Sequence, residues 1–144
     1  MQEIDCFILK EEKELSSVAA AIIPLLQNRP WVLLEGELGA GKTALVKQIC
    51  HLLGYHASSS SPSFGIINEY ALEEHNGLLY HLDLYRINQP GELTALGIEE
   101  ILGSGFPVFI EWPQLLEPFL SEKYIKVEIT MAENERIFRI FQKG

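Results

Sequence analysis

The residues from Gly36 to Thr43 read Gly-Glu-Leu-Gly-Ala-Gly-Lys-Thr and match the phosphate-loop pattern G-x-x-x-x-G-K-[ST]. Glycines in such a stretch allow backbone angles that bulkier residues resist, so successive N–H groups can point at phosphate oxygens. The Lys42 ammonium adds positive charge at the β and γ phosphates, and the Thr43 hydroxyl is the expected ligand of Mg²⁺. The loop residues predicted to bind the nucleotide are Glu37, Leu38, Gly39, Ala40, Gly41, Lys42 and Thr43.

Two acidic residues follow apolar segments and complete a possible hydrolytic site. Asp83 comes after Leu-Leu-Tyr-His-Leu, and Glu111 comes after Val-Phe-Ile. A phosphate loop binds phosphate but does not alone polarise water, so one acid is expected at the magnesium and another at the attacking water. Residue types alone leave open which acid takes which role. We predict Lys42, Asp83 and Glu111 as the catalytic residues.

The residues that could recognise the base are less specific. Trp112 directly follows Glu111 and either stacks on adenine or fills core volume. The Asn-Lys-x-Asp stretch that guanine-specific domains use does not occur in the sequence, so guanine specificity loses its main support. His81, taken alone, is more often structural than chemical.

Hydrophobic periodicity indicates the elements that must position these residues. Residues 31–35 form a continuous apolar run, typical of a buried parallel strand, and residues 44–53 carry an apolar stripe at helical spacing. Gly54 suits the left-handed residue that closes a helix. Further strands are predicted at residues 6–9, 64–70, 78–85, 108–111, 125–129 and 136–141, and further helices at residues 11–27, 90–96 and 98–102.

The strand, loop and helix order predicts an α/β fold. We expect a P-loop NTPase-like three-layer sandwich, with a mixed, largely parallel central sheet and two antiparallel hairpins. The hydrophobic fraction of 47% and the charged fraction of 22% are ordinary for a folded protein. Residues 1–144 are therefore predicted to form one P-loop ATPase domain.

Charge and cysteine content restrict the partners and the compartment. Acidic residues outnumber basic ones by 20 to 11, a formal charge of −9, so a broad basic face for nucleic acid is not expected and any RNA contact should be indirect. Cys6 and Cys50 lack a CxxC spacing, nothing resembles a secretory signal, and no apolar run is long enough to span a bilayer. These features favour a soluble, cytoplasmic protein without membrane contact.

With these residues located, the sequence resembles the TsaE family, the bacterial ATPases of tRNA threonylcarbamoyladenosine biosynthesis, over nearly its whole length. The resemblance rests on the phosphate loop, Ser-Pro-Ser-Phe at 61–64 and His-Leu-Asp-Leu-Tyr-Arg at 81–86. It extends through Glu-Leu at 92–93, Leu-Gly-Ile at 96–98 and Ile-Glu-Trp-Pro at 110–113. Segment 61–64 looks like the family's switch-like loop, although the family usually has threonine where Ser63 stands.

The resemblance implies a function and a set of site residues. It implies hydrolysis of ATP with Mg²⁺ in support of TsaD and TsaB, which form N6-threonylcarbamoyladenosine next to the anticodon of tRNAs that read ANN codons. By the same resemblance, Thr43 and Glu111 look like magnesium-site residues, Asp83 like a further acid at the metal, and Trp112 like a nucleotide contact.

Other positions and functions stay open. Tyr85 and Arg86 belong either to the active site or to a partner surface, unless Arg86 only forms a structural ion pair with an acid. Residues around Glu11 and Glu12, and the turn before Arg136, border the base in similar proteins. A nucleotide-gated binding module, in which ATP binding controls partner docking, is a serious alternative to an ATPase. A small-molecule kinase is disfavoured because no arginine-rich lid segment follows the helix.

Overall fold

The computed structural model of the protein describes residues 1–57, 66–73, 76–120 and 123–144. Several sequence expectations fall outside these ranges. They are an exposed loop that the serines at 58–61 predict, the Ser-Pro-Ser-Phe motif at 61–64, the first residues of the strand predicted at 64–70, and part of a turn that the polar residues and glycine at 73–77 predict.

The chain begins with alternating strands and helices, continues through three consecutive strands, and ends in a long hairpin. The strands are β1 (Gln2–Leu9), β2 (Trp31–Glu35), β3 (His56–Ala57), β4 (Ile67–Ala71), β5 (Leu78–Asp83), β6 (Val108–Glu111), β7 (Tyr124–Ala132) and β8 (Glu135–Lys143). The α-helices are α1 (Leu15–Ile22), α2 (Lys42–Leu53), α3 (Pro90–Ala95) and α4 (Ile98–Leu102). Short 3-10 helices span Glu12–Glu14, Ile23–Gln27, Pro113–Leu115 and Glu117–Phe119.

The described strands form one mixed sheet in the order β1-β8-β7-β2-β6-β5-β4-β3. Strands β7, β2, β6 and β5 run parallel at its centre, while β1, β8, β4 and β3 join by antiparallel pairing. The parallel part is thus confined to the centre, and the sheet is less parallel than expected. Both predicted hairpins, β4–β5 and β7–β8, are confirmed.

Helices cover both faces of the sheet and create two apolar cores. Val32 and Leu34 of β2 point into the core that contains α1 and α2, whereas Leu33 points into the core that contains α3 and α4. Side chains alternate between the faces of a strand, so a central strand with a core on each side must be apolar throughout. This confirms the three-layer arrangement. None of the helices in the described ranges has the length and apolar character to cross a bilayer.

Element boundaries follow local chemistry that the sequence reveals only in part. Gly54 closes α2 with φ 83°, as predicted. Strand β5 ends at Asp83 rather than at Tyr85, because the Asp83 side chain accepts a hydrogen bond from the Tyr85 N–H and turns the chain. Strand β1 is longer than its apolar part because it pairs along β8, at the opposite end of the sequence.

A charged cluster joins the start of the phosphate loop to the segment after β6. The Lys126 ammonium lies 3.2 Å from Glu35 Oε1 and 2.8 Å from Glu117 Oε2. The buried Tyr124 hydroxyl donates to Glu117 Oε2 at 2.8 Å. Burial lowers the pKa of Lys126, but its hydrogen bonds to Glu117 and Glu35 outweigh burial and raise that pKa above its ordinary value. The cluster therefore depends on the lysine charge.

Replacing Lys126 by Met should destabilise the fold by about 1–3 kcal/mol, because two half-buried carboxylates would face each other without a cation. The free energy of unfolding in urea measures this effect. Lys47→Met, at an exposed position on α2, is the matched control and should change stability by less than about 0.5 kcal/mol. Equal stability of the Lys126 and Lys47 variants would contradict the prediction.

Candidate functional site

The loop between β2 and α2 has the form that a phosphate requires. Gly41 takes φ 115°, a conformation that favours glycine, and α2 begins at Lys42 without a side-chain cap on its N-terminal N–H groups. Gly36 is required for a different reason, since a Cβ there would lie 2.9 Å from the backbone oxygen of Ile129. The uncapped N-terminus of α2 is suited to bind an anion.

The other predicted loop residues occupy distinct environments. Ala40 is buried, and its N–H donates to the Glu37 oxygen at 3.0 Å, which tightens the loop. Leu38 is 62% exposed at the loop tip. The loop thus presents backbone inward and an apolar side chain outward.

Lys42 is folded into the loop rather than extended into solvent. Only 4% of the residue is exposed, and its Nζ donates to the Gly36 oxygen at 2.5 Å. The same ammonium lies 3.6 Å from the ring centroid of Trp112, a cation–π contact. Burial lowers the pKa of Lys42, against the opposing effect of Glu111 and Asp83. A phosphate would add further negative charge beside it.

Parallel pairing brings the two predicted acids to one end of the sheet. Strand β6 lies between β2 and β5, and its Glu111 is level with Leu34 on one side and Asp83 on the other. Strand alternation directs both acids to the face that α2 covers. There the Thr43 hydroxyl donates to Glu111 Oε2 at 2.7 Å. The last residue of β6 and the first turn of α2 are thus directly joined.

Glu111 is ionised in spite of its burial. Burial alone raises the pKa of this carboxyl, but hydrogen bonds from His81 and Thr43 and the nearby positive charge of Lys42 outweigh it, so the pKa lies below its ordinary value. A buried carboxylate with a hydroxyl beside it offers the hard oxygen ligands that Mg²⁺ prefers.

His81 is a site residue that the sequence reading left as structural. Its Nε2 lies 2.5 Å from Glu111 Oε2, and the residue is 4% exposed. The available signal was its spacing, because a residue two positions before Asp83 on a strand shares its face. That signal could not show that Glu111, on another strand, would be its partner.

Asp83 lies at the rim of this group. It is half-buried, and its Oδ1 accepts the Tyr85 N–H at 3.2 Å. Tyr85 is exposed, and its ring centroid lies 4.9 Å from that of Trp112. Arg86 is also exposed and forms no ion pair with any residue that the structure describes. A structural ion pair for Arg86 therefore finds no support in this part of the chain.

Trp112 adopts a backbone conformation that non-glycine residues rarely take, with φ 59° and ψ 58°. Such conformations cost about 1–3 kcal/mol and are often found at functional sites. The result here is that the ring lies over Lys42 and against Tyr85. Trp112 thus stands at the lysine side of the loop.

A pocket of about 550 Å³ opens on the other side of Gly41, beside Ala44. Its lining combines apolar and charged side chains. The charged and polar residues in it are Lys10, Glu11, Glu12, Asn134, Glu135 and Arg136, and the apolar ones are Leu9, Leu15, Met131, Ala132 and Phe138. It contains Glu11, Glu12 and two residues of the turn before Arg136, Ala132 and Asn134, which the family resemblance placed near the base. The pocket has room for a nucleobase next to the phosphate loop.

A cation at this site would depend on more than protein carboxylates. The described ranges contain no cluster of three or more His, Cys, Asp or Glu side chains able to hold a metal ion alone. Thr43, Glu111 and Asp83 instead supply a hydroxyl and carboxylates next to the phosphate loop. Mg²⁺ is commonly bound in this way, by one or two carboxylates, water and substrate phosphates. The residues present therefore fit a nucleotide-bound Mg²⁺.

Known proteins share both the sequence and the fold. A protein from Rickettsia felis named tRNA threonylcarbamoyladenosine biosynthesis protein TsaE is 36% identical over 135 residues, which cover 92% of this chain and 77% of that protein. A protein of the same name from Aquifex aeolicus is 34% identical and covers 94% of this chain and 95% of its own length. The crystal structure of Bacillus subtilis YdiB superposes with a TM-score of 0.76 at 26% identity, covering 100% of this chain and 88% of YdiB.

The family comparison covers the whole site. The sequence model described as threonylcarbamoyl adenosine biosynthesis protein TsaE matches residues 9–138, a range that includes the phosphate loop, the ends of β5 and β6, and the whole pocket lining. With this match and relatives at these identities, the chain belongs to the TsaE family.

Proposed function

We propose that this protein is a Mg²⁺-dependent ATPase of the cytoplasm that supports TsaD and TsaB in forming N6-threonylcarbamoyladenosine next to the anticodon of tRNAs reading ANN codons. One observation carries the hydrolytic part of this proposal. The Thr43 hydroxyl and the Glu111 carboxylate meet at 2.7 Å, at the point where the phosphate loop enters α2. Paired with a phosphate-loop lysine, this is the arrangement expected of a nucleotide hydrolase. Membership of the TsaE family supports the role in tRNA modification.

Backbone and lysine together would bind the triphosphate. Residues 37–43 supply N–H groups at the uncapped start of α2, and Lys42 supplies a positive side-chain charge. An ammonium has three donors, of which the Gly36 oxygen accepts one in this structure. The remaining donors can bind phosphate oxygens, while the Trp112 ring keeps the ammonium at the loop.

Thr43 and Glu111 would hold the magnesium ion, with Asp83 as the nearby second acid. When bound, Mg²⁺ supplies positive charge that neutralises the charge developing on the phosphate oxygens. Glu111 suits this role because its hydrogen bonds from Thr43 and His81 keep it ionised and oriented.

Asp83 is the better placed acid for the attacking water. It is more exposed than Glu111, and as the last residue of β5 it lies at the rim of the site. In hydrolysis a water oxygen bonds to the γ phosphorus while the bond to the β–γ bridging oxygen breaks, releasing ADP and inorganic phosphate. The Asp83 carboxylate would orient that water and accept its proton.

The pocket beside Gly41 is the proposed site of the adenine base. Phe138 and Leu15 give it apolar surface, and Glu11 and Arg136 give it polar groups. Trp112 lies at the lysine side of the loop instead, so we assign it to the phosphate end of the nucleotide rather than to adenine.

Reconstitution tests the proposed function. TsaD and TsaB are incubated with a tRNA that reads an ANN codon, with the substrates of the modification, and with or without this protein; N6-threonylcarbamoyladenosine is quantified by mass spectrometry. Modification is expected to need this protein and its ATP turnover. Modification that proceeds equally without the protein would refute the proposal. Given the net charge of −9, the tRNA should be held by the partners.

A second function, a nucleotide-gated docking module, is favoured by the exposed apolar side chains near the loop. Leu38 is 62%, Tyr85 54% and Met131 41% exposed, and the last lines the groove next to Gly36. In a gated module, ATP would change the affinity for TsaD and TsaB even when hydrolysis is blocked. Full tRNA modification with a turnover-deficient Glu111→Gln variant would favour gating over hydrolysis.

A further inference from the structure

The side chain of His81 extends from β5, the strand that ends at Asp83, to Glu111 at the end of the neighbouring β6. Strand β5 turns Leu79 and His81 to the face covered by α2, and it turns Leu82 to the opposite core. On the adjacent strand, Phe109 is level with His81, and Glu111 is one side chain further along the same face. His81 is buried on this face, next to the carboxyl end of β6.

The contact with Glu111 is a directed hydrogen bond. An ionised carboxylate only accepts, so Nε2 of His81 carries the proton and donates to Oε2. Thr43 donates to the same oxygen from α2. Both hydrogen bonds that described side chains give to the Glu111 carboxylate fall on Oε2, from two different elements. Two donors on one oxygen restrict the rotation of the carboxylate about its last bond.

A buried histidine can also serve only to fill a core. That role would require volume and no particular donor, and the surrounding Leu79 and Phe109 are apolar. The position of the polar atom indicates more, because Nε2 points to the carboxylate that faces Thr43 rather than to a backbone oxygen. The distinction between volume and donor can be tested.

We propose that His81 is a positioning residue for the magnesium site, an inference that depends on the proposed function. Its Nε2–H holds the Glu111 carboxylate in the orientation in which it faces Thr43. His81 touches neither nucleotide nor metal in this proposal and acts through Glu111. Partners of this kind behind metal-binding residues typically change metal affinity 10–100-fold when they are removed.

Two substitutions of nearly equal shape distinguish a role of His81 as a hydrogen-bond donor from a role that only fills core volume. His81→Met fills the space without a donor, and His81→Gln offers a side-chain amide that can donate. ATP affinity of the full chain is measured by calorimetry in EDTA and at increasing Mg²⁺. His81→Met should need about 10–100-fold more Mg²⁺ for the half-maximal gain in ATP affinity, with ATP affinity in EDTA unchanged. His81→Gln should restore most of the Mg²⁺ response.

Several outcomes would overturn the inference. The first is a wild-type Mg²⁺ response in His81→Met. The second is a rise in the Mg²⁺ requirement that is equally large in His81→Met and His81→Gln. The third is a loss of ATP affinity in His81→Met that is as large in EDTA as in Mg²⁺. A wild-type protein that does not bind ATP would refute the proposed function and this inference together, whereas the three outcomes above refute only the inference.

A measurement on the wild-type chain covers the case in which His81→Met does not fold. With ¹⁵N-labelled histidine, the Nε2–H resonance should be protected from solvent exchange and should shift when Mg²⁺ is added to the ATP-saturated protein. A rapidly exchanging resonance, or one that Mg²⁺ leaves unmoved, would overturn the proposal.

Discussion

Glu111→Gln is expected to reduce ATP turnover by about 100-fold or more while ATP affinity at saturating Mg²⁺ changes by less than about tenfold. The amide keeps the shape of the side chain and an oxygen that can accept from Thr43, but it removes the negative charge at the proposed magnesium site. The phosphate loop and Lys42 remain intact, so the nucleotide still binds. Phosphate release in the presence of TsaD and TsaB measures turnover, and calorimetry measures affinity.

Glu69→Gln is the matched control for this variant. Glu69 is a half-buried strand glutamate on β4, and it lines a groove on the opposite face of the sheet together with Tyr80 and Leu96. Its replacement should leave turnover unchanged. Wild-type turnover in Glu111→Gln would exclude this carboxylate from the chemistry.

The roles of Glu111 and Asp83 can be distinguished by the Mg²⁺ concentration that ATP binding requires in a variant of each. If Glu111 is at the metal and Asp83 at the water, both Glu111→Gln and Asp83→Asn lose turnover. Only the Glu111 variant then needs more Mg²⁺ for the same ATP affinity. A raised requirement confined to Asp83→Asn would reverse the proposed roles.

The second large effect is expected for Lys42→Ala, which should weaken ATP binding about 10–100-fold. A hydrogen bond from a charged group contributes about 1.5–3 kcal/mol, and each 1.4 kcal/mol corresponds to a factor of ten in the dissociation constant. Calorimetric titration with ATP and Mg²⁺ measures the loss. Unchanged affinity would contradict the assignment of the loop.

Two further variants control this experiment. Lys47→Ala removes an exposed lysine from the same helix and should bind ATP normally. Lys42→Met keeps an unbranched apolar stem where the buried lysine lies, and it should lose affinity as Lys42→Ala does while disturbing the packing less. Normal affinity in Lys42→Met would mean that packing, rather than charge, causes the effect in Lys42→Ala.

The parts of the site that are contiguous in the sequence were predictable. The apolar run at 31–35, the glycine-rich loop and the stripe along α2 each have a local signature, and the structure contains all three in order. Gly41 takes the positive φ that the loop pattern requires. Gly36 was predicted for its backbone freedom, but its actual constraint is the nearby backbone of Ile129, a contact that no local pattern reveals.

The contacts between distant segments could not be predicted in the same way. The acids at the ends of apolar strands were found by their position, yet the hydrogen bonds from Thr43 and His81 to Glu111 depend on strand order and register. The same is true of β1, whose exposed first residues show little strand pattern and are ordered by pairing with β8. Hydrophobic periodicity indicates which face a residue occupies but not which strand lies beside it.

The backbone of Trp112 is a further case in which local preference is overridden. A residue before proline is normally extended, yet Trp112 is left-handed and precedes Pro113. In this conformation the Trp112 ring contacts Lys42 and Tyr85. No sequence rule predicts such a residue, although its place directly after Glu111 marked it as a candidate.

Titration of the wild-type protein with ATP, in Mg²⁺ and then in EDTA, tests the central claim most directly. The account predicts saturable binding of one ATP per chain, with affinity that rises when Mg²⁺ is present. No saturable heat in either buffer, from protein whose circular dichroism and cooperative unfolding show that it is folded, would contradict it.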